Sequence, residues 1–420
     1  MKQNISPHTP YSAHTIDKPL LFLYLFLVIV GWLSIFSSAY DPTRFHSIFT
    51  LSTVYGRQLV WIIAAFVIAL IILVLDAKLF QHYAWVIYAG CLLLLLLVFV
   101  LGTEISGAKA WIKIGSFSIQ PGEFMKLATA LALARLLNQG KTVKEKRNVW
   151  IAVIAIVFLP ILIIFLQHDT GSALVYTSFF ILCYREGMSA RIFIVTACMG
   201  LLGLITLYFN ELYAIALLLM GYTVAWFVSK NVKNAVGRYS LILLLGIMFV
   251  LGTNTAYERV FQSHQKQRID SLLGKTVDPK GADFNLNQSK IAIGSGGFSG
   301  KGFLKGSQTK FNFIPEQSTD FIFCSIGEEW GFLGALVVIG AFFFMIARIL
   351  WLSEKHHNPF VRYYGYGIAG ILFFHVAVNV GMTIGLVPII GIPLPFLSYG
   401  GSSLWSFTSM IFIFIKLNIK

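Results

Sequence analysis

Long apolar runs separated by short polar segments are the main pattern along this chain. A transmembrane helix needs about 20 mostly apolar residues. The runs therefore predict an all-α polytopic membrane protein with about 12 transmembrane helices. The predicted spans are 20–40, 58–75, 83–101, 123–137, 149–167, 171–185, 192–209, 211–229, 238–255, 331–352, 362–387 and 403–418.

The composition supports a membrane protein. Of the 420 residues, 57% are apolar and 12% are charged. A soluble domain carries about 25% charged residues. This deficit excludes a soluble globular enzyme and a disordered chain.

The distribution of basic residues predicts which side of the membrane each loop occupies. The net charge is +14, and Lys and Arg accumulate in cytoplasmic loops. With the N-terminus inside, the short outer loops carry only Arg44, Arg57, Lys109 and Lys113. We therefore expect both termini in the cytoplasm. No basic patch is interleaved with exposed aromatic residues, so we predict no nucleic-acid partner.

One long polar segment divides the chain into three parts. We predict N-terminal transmembrane helices in 1–256, a large extracytoplasmic loop in 257–330 and C-terminal transmembrane helices in 331–420, all within one membrane domain. Loops of this length are functional or disordered. Apolar stretches within the segment predict that it is ordered and packed on the extracytoplasmic face of the membrane.

Two candidate clusters lie at the outer ends of early spans. Arg57 begins the second span, where it is either functional or a snorkelling interfacial arginine. Glu123 follows Pro121 at a helix start, near the positive end of the helix dipole. Lys126 is three residues further on and can pair with Glu123. This pair is either a functional site in the membrane or a structural lock on the helix end.

A third candidate is Asp169, between the fifth and sixth spans. Its position before an apolar run is typical of a helix N-cap. The alternative is a carboxylate that faces the same cavity as Lys126.

The long loop and the C-terminal region supply the remaining candidates. Asp278 lies in an Asp-Pro-x-Gly string, which is an ordinary turn signal or a catalytic position. The glycines of 294–302 fit no nucleotide-binding motif, but they allow close backbone approach to a sugar or phosphate. The Pro- and Gly-rich segment 388–403 interrupts an apolar stretch, as a re-entrant loop or a tight outer turn.

These strings together resemble the SEDS family (shape, elongation, division and sporulation). The resemblance covers almost the whole chain. The matching strings are Trp111-Ile112, Gln120-Pro121-x-Glu123-x-x-Lys126, Gln167-x-Asp169-x-Gly171, Asp278-Pro279-x-Gly281, Gln288-Ser289-x-Ile291-Ala292-x-Gly294, Pro315-Glu316, Thr319-Asp320-Phe321, and Pro393-Leu394-Pro395 with Ser398-Tyr399-Gly400-Gly401-Ser402-Ser403.

The resemblance implies a peptidoglycan glycosyltransferase that polymerises lipid II on the outer face of the bacterial inner (cytoplasmic) membrane. Lipid II is an undecaprenyl-pyrophosphate disaccharide-pentapeptide. The implied partners are a class B penicillin-binding protein and the elongation machinery. The Gly300-Lys301-Gly302 string resembles the elongation branch of the family rather than the division branch. The family has ten spans, so we expect an extra hairpin within 192–255.

The resemblance also implies roles for individual residues. Asp278 is expected to be the catalytic general base. The expected substrate- and pyrophosphate-binding residues are Arg57, Glu123, Lys126, Asp169, Gln288 and Ser289.

Three positions depart from the family pattern, which weakens the detailed role of the loop around Asp169 but leaves the aspartate itself. Gly122 stands where the family commonly has Ser, and His168 and Thr170 stand where it commonly has Pro and Leu. If the site uses a divalent cation, Mg²⁺ or Mn²⁺, the candidate ligands are Glu123 and Asp169. No organic cofactor is expected. Rival functions are a lipid II flippase, a division polymerase and a scaffold that only activates the penicillin-binding protein.

Overall fold

The computed structural model describes residues 16–40, 47–105, 107–115, 117–139, 143–228, 232–259, 261, 266, 270, 282–310 and 316–419. Almost all the regular structure is helical, which confirms the predicted polytopic α-helical fold. The chain divides into two compact units, Met1–Cys183 with Phe284–Lys420, and Tyr184–Asp283.

The helices in the first half of the larger unit are α1 (Lys18–Ala39), α2 (Val54–Val74), α3 (Ala77–His82), α4 (Ala84–Leu101), α5 (Pro121–Leu137), α6 (Val143–Leu166) and α7 (Thr170–Val175). A 3₁₀ turn at Tyr176–Ser178 leads into α8 (Phe179–Arg185). The smaller unit contains α9 (Ala190–Phe209), α10 (Glu211–Val228) and α11 (Val232–Arg259). Next come α12 (Ala282–Gly296), α13 (Ser307–Lys310), α14 (Ile322–Lys355), α15 (Pro359–Ile384) and α16 (Gly401–Asn418).

Helix α5 forms the centre of the larger unit. It packs against α4, α6, α15 and α16, and nearly all of its side chains are buried. Alanines at 128, 130, 132 and 134 have almost no exposed surface. Small side chains let helices approach closely in a membrane, so this sequence suits a helix surrounded by protein.

Nine helices within the described ranges are long and apolar enough to cross a membrane. They are α1, α2, α4, Val149–Leu166 of α6, α9, α10, Val236–Arg259 of α11, α14 and α15. The other three predicted spans also fold as helices, in α5, α7–α8 and α16. Helix α5 has only 17 residues, and the sixth predicted span is broken by the 3₁₀ turn.

A small three-stranded antiparallel sheet, which the apolar pattern did not predict, follows α4. Its strands are β1 (Gly102–Ile105), β2 (Ala108–Ile114) and β3 (Phe117–Ile119), in the order β1-β2-β3. Gly107 and Gly115 have φ of 84° and 62° between the strands, a conformation that glycine adopts without steric cost. Lys109 N donates to the Gln167 carbonyl at 3.0 Å, which fixes the sheet against the end of α6.

Helix extends into both ends of the predicted loop 257–330. Helix α11 continues to Arg259, and α14 begins at Ile322 instead of residue 331. The earlier start arises because residues 322–329 are buried and form a helical lead-in. This lead-in ends in a kink at Gly331, whose φ is 65° and ψ is −159°. The membrane helix proper therefore begins close to the predicted position.

The described part of the smaller unit contains three long helices whose surface is mainly apolar and exposed, as expected for helices that face lipid. Helix α10 packs against both α9 and α11. The Asn254 amide donates to a Glu211 carboxylate oxygen at 2.9 Å, which connects α11 with the start of α10. These helices occupy the range in which the extra hairpin is expected, and the count relative to the family stays a prediction.

Candidate active site

The first turn of α5 places two ionisable side chains inside the protein. Pro121 is the first residue of α5, and Glu123 follows within the first turn. The Lys126 ammonium lies 2.8 Å from Glu123 Oε1, and the exposed fractions of the two residues are 0% and 1%. The ion pair predicted from the spacing is therefore present. Its role in catalysis stays a prediction.

His375 of α15 is the second partner of this lysine. Its Nε2 lies 2.9 Å from Lys126 Nζ, and its Nδ1 lies 3.0 Å from the Pro393 carbonyl oxygen. A carbonyl can only accept, so Nδ1 carries the proton and Nε2 accepts from the ammonium. The arrangement assigns a neutral imidazole with both nitrogens hydrogen-bonded.

Helix α16 closes the cluster from a third side. The Phe407 ring lies 5.6 Å from Lys126 Nζ, measured to the ring centroid, and packs edge-on against His375 at 4.9 Å. The Ser406 hydroxyl donates to the Glu123 backbone carbonyl at 2.7 Å. We call Glu123, Lys126, His375 and Phe407 the buried cation cluster.

One oxygen of the buried cation cluster is left over. Glu123 Oε2 is buried and has no hydrogen-bond partner among the described residues. A buried carboxylate oxygen without a donor is costly. Eleven other buried side-chain atoms among the described residues also have no hydrogen-bond partner, but Glu123 Oε2 is the one that belongs to a carboxylate. This oxygen is therefore one observation in favour of a site at the cluster.

Asp169 lies beside the start of α5, and a cavity shared with Lys126 stays a prediction. Its Oδ1 accepts from Ser172 N at 3.0 Å, which makes it the N-cap of α7 as predicted. Its Oδ2 accepts from the Gln120 amide at 2.8 Å. Because Gln120 is the N-cap residue of α5, Asp169 supports the turn that carries Glu123.

The other predicted binding residues lie outside the buried cation cluster. Arg57 is exposed in the first turn of α2. Gln288 is half-buried on α12, whereas Ser289 is fully buried and its hydroxyl donates to the Thr383 carbonyl at 2.6 Å. The structure thus gives Ser289 a packing contact, and its role in binding stays a prediction. Asp278 lies outside the described residues.

The segment 385–400 is irregular, and its second half is largely buried. Ile392, Leu394, Phe396 and Leu397 have at most 2% of their surface exposed. The Asn379 amide donates to the Ile392 carbonyl at 2.7 Å. Irregular backbone at membrane depth occurs where protein or a cavity surrounds it. The contacts show that protein surrounds this part of the segment, and the choice between a re-entrant loop and a tight outer turn stays a prediction.

Two glycines of the segment 294–302 lie very close to protein backbone. A Cβ on Gly300 would lie 2.1 Å from the Glu329 carbonyl oxygen, and one on Gly296 would lie 2.0 Å from the Gly327 carbonyl oxygen. Lys301 N and Gly302 N donate to the carbonyls of Glu328 and Glu329 at 3.0 and 2.9 Å. In the described state Gly296 and Gly300 pack the loop onto the lead-in of α14. Close approach of a sugar or phosphate to this segment stays a prediction.

The donor set does not favour a metal ion at Glu123. Within the described part of the chain, no three His, Cys, Asp or Glu side chains form a group that could hold one. A cation bound to Glu123 would also lie beside the Lys126 ammonium, and like charges at this distance repel. We therefore derive no step from a divalent cation.

Sequence reasoning missed His375, Ser406 and Phe407. His375 did carry a signal, since an ionisable residue in a membrane span is a candidate functional residue. Its partners are far away in the chain: the hydrogen bond to Lys126 joins residues 249 positions apart. No local pattern connects them.

The fold and the cluster define a polytopic helical membrane protein with a buried ion pair at the start of its central helix. The chain matches the family model FtsW/RodA/SpoVE, described as "cell cycle protein", over residues 18–226 and 214–420. It therefore belongs to the FtsW/RodA/SpoVE family, and the resemblance found in the sequence is confirmed.

Individual relatives agree with the family match. The chain is 35% identical to peptidoglycan glycosyltransferase RodA of Treponema pallidum, over 96% of this chain and 97% of that protein. It is 30% identical to peptidoglycan glycosyltransferase MrdB of Escherichia coli K12, over 96% of this chain and 94% of that protein. A solved chain, described as part of a peptidoglycan synthase complex that coordinates polymerization and crosslinking, superposes with a TM-score of 0.69. It is 26% identical and covers 96% of this chain and 98% of that one.

Proposed function

We propose that this protein polymerises lipid II into glycan strands for cell-wall elongation and rod shape. It is a RodA-type peptidoglycan glycosyltransferase. The observation that supports this most strongly is the match over almost the whole chain to relatives that are named for this activity. The division polymerase remains the second candidate, because the family also contains FtsW.

The proposed location is the bacterial cytoplasmic membrane, with both termini in the cytoplasm and the active site on the outer face. The bias of Lys and Arg toward one set of loops supports this orientation. The proposed partner is a class B penicillin-binding protein. Its support is the likeness to a chain of a peptidoglycan synthase complex.

The proposed reaction is a single displacement at an anomeric carbon. The 4-hydroxyl oxygen of the acceptor GlcNAc forms the new glycosidic bond, and the bond from the anomeric carbon to pyrophosphate breaks with inversion. Asp278 accepts the hydroxyl proton, and undecaprenyl pyrophosphate leaves with the bonding electron pair. General-base assistance contributes about 10²- to 10⁴-fold to the rate.

Pyrophosphate departure needs stabilisation of negative charge, and Arg57 and Lys126 are the proposed cations. In the described state the Lys126 ammonium is fully buried. Contact with pyrophosphate therefore requires a movement of the lysine or of the protein around it. Glu123 and Asp169 are proposed to hold the first turn of α5 and its lysine in place, which fits the Glu123–Lys126 pair and the Asp169–Gln120 contact.

The test is lipid II polymerisation by the purified protein with its cognate class B penicillin-binding protein. We expect glycan from the wild type, none from an equally stable Asp278→Ala variant, and none from the penicillin-binding protein alone. Equal glycan from wild type and Asp278→Ala would remove Asp278 from catalysis. No glycan from the wild type, in an assay where a known polymerase works, would overturn the proposed activity in favour of a flippase or scaffold.

A further inference from the structure

His375 is the point where three separate parts of the larger unit meet. It is on α15, it contacts Lys126 of α5 through Nε2, and it contacts Pro393 of the segment 385–400 through Nδ1. The ring is 1% exposed and is held edge-on by Phe407. In this orientation of the ring, both nitrogens form hydrogen bonds.

The two hydrogen bonds have fixed directions. The Pro393 carbonyl requires a proton on Nδ1, so Nε2 presents a lone pair to the ammonium of Lys126. The other tautomer would point an N–H at the ammonium and leave the carbonyl unpaired. The carbonyl thus selects the tautomer that can accept from Lys126.

We propose that His375 is a positioning residue for Lys126: the Pro393 carbonyl fixes the tautomer of the ring, and Nε2 then fixes the direction of the buried ammonium. This inference rests on the proposed function, in which Lys126 stabilises the departing pyrophosphate. Without the imidazole, the ammonium keeps its ion pair with Glu123 and its contact with the Phe407 ring, but it loses the acceptor that restricts its direction.

The alternative is a histidine that only fills space between helices, and three substitutions separate the two roles. His375→Gln can keep an acceptor near the Nε2 position, His375→Asn can keep a donor near the Nδ1 position, and His375→Phe keeps only the ring shape. If His375 only fills space, we expect the Phe variant to keep more activity than either amide variant. If His375 positions Lys126, we expect the Gln variant to keep more activity than the Asn and Phe variants.

The activity experiment measures kcat and KM for lipid II polymerisation, together with the melting temperature of each variant. His375→Phe loses a hydrogen bond to a charged group, and we expect this loss to lower kcat by about 10- to 100-fold. We expect His375→Gln to recover part of this loss and His375→Asn to recover less, at similar melting temperatures. Wild-type kcat in His375→Phe, or equal kcat in the Gln and Asn variants, would overturn the inference.

A second measurement does not depend on activity. ¹⁵N NMR of histidine-labelled protein distinguishes the two neutral tautomers, and comparison with His375→Gln assigns the signal. We expect an Nδ1-protonated ring whose Nε2 signal shifts in Lys126→Met. Lys416→Met is the matched control, because that ammonium donates to the Leu73 carbonyl. An Nε2 signal that is unchanged by Lys126→Met would overturn the contact, whereas a wild-type protein that makes no glycan would overturn only the proposed function.

Discussion

Two buried glutamates of the larger unit have the same kind of partner but different surroundings. Glu123 lies 2.8 Å from the Lys126 ammonium, and Glu328 lies 2.7 Å from the Lys301 ammonium. Glu328 also accepts from the backbone N–H groups of residues 307, 308 and 309 at 2.7 to 3.0 Å. Both of its oxygens are therefore satisfied, whereas Glu123 Oε2 has no partner within the described residues.

The difference separates a structural carboxylate from a candidate functional one. Glu328 binds the first N–H groups of α13 and one lysine, which is the way in which folded proteins compensate a buried charge. Its lysine side chain is 28% exposed, whereas that of Lys126 is 0% exposed. Incomplete compensation at Glu123 is typical of a site that a ligand or a conformational change completes.

The largest expected effect comes from Lys126→Met. This variant leaves Glu123 as an unpaired buried charge, which costs about 3–5 kcal/mol in the free energy of unfolding. It also removes a cation from the proposed pyrophosphate site, and we expect glycan formation to fall by about 10²- to 10³-fold. The measurements are the melting temperature in detergent and the polymerisation rate per folded molecule.

The double variant Glu123→Gln/Lys126→Met is the control for this first prediction. It removes the unpaired charge, so we expect much of the lost melting temperature to return while polymerisation stays low. If polymerisation returned together with stability, the pair would be only a lock on the helix end. The comparison with Glu328 would then lose its functional meaning.

The second prediction concerns Glu328. Glu328→Ala leaves three backbone donors and one lysine without their acceptor, and we expect a loss of about 3–5 kcal/mol. Glu328→Gln keeps the shape and should lose less, with polymerisation per folded molecule near the wild-type rate. Glu316→Gln is the matched control, because Glu316 is exposed and surface substitutions change stability by about 0.5 kcal/mol or less. A polymerisation defect in stable Glu328→Gln would contradict the structural role.

The predictability of the two clusters from sequence depends on the distance between their members. The Glu123–Lys126 pair and the Asp169 N-cap are local, so residue spacing was sufficient to predict them. The contact of Lys126 with His375 depends on α15 packing against α5, which local sequence patterns do not determine.

The glycine-rich segment 294–302 shows the same limit. Its composition predicted close backbone approach, and at Gly296 and Gly300 the approaching group is the lead-in of α14, which no local pattern indicated. The fold class was predictable because membrane spans are contiguous runs. The small sheet of β1 to β3 was missed because its short alternating strands lie between two much stronger helical signals.

The third prediction tests how much the close packing of the loop glycines against the lead-in of α14, which carries Glu328, contributes to stability. Gly300 has φ of 80°, and a Cβ there would collide with the Glu329 carbonyl at 2.1 Å. We expect Gly300→Ala to lose about 2–3 kcal/mol, because a strained φ and a backbone clash add together. The melting temperature of the purified protein is the measurement.

Two neighbouring glycines separate these contributions. Gly297 has φ of 58° but open space around its Cβ position, so Gly297→Ala should lose about 1–2 kcal/mol from strain alone. Gly294 is helical with open space, and Gly294→Ala should be neutral or gain up to about 1 kcal/mol. Equal effects of the Gly300 and Gly297 variants would show that the close approach contributes nothing.

The smallest effect is expected at a third carboxylate, which is less buried than the other two. Asp17 is the N-cap of α1 and accepts from Leu20 N at 3.0 Å, and it pairs with Arg348 at 2.7 Å with side-chain exposures of 11% and 24%. Asp17→Asn keeps the cap and loses the charge, and we expect a loss of under about 1 kcal/mol because solvent screens such pairs.

Asp17→Ala loses the cap as well, which costs about 1 kcal/mol more. The melting temperatures of both variants at low and high salt provide the measurement. High salt should narrow the difference between wild type and Asp17→Asn, since it screens only the ion pair. The difference between the Asn and Ala variants should remain. If Asp17→Asn instead lost as much stability as Glu328→Ala, burial would not be what distinguishes these carboxylates, and the contrast between Glu123 and Glu328 would need another physical cause.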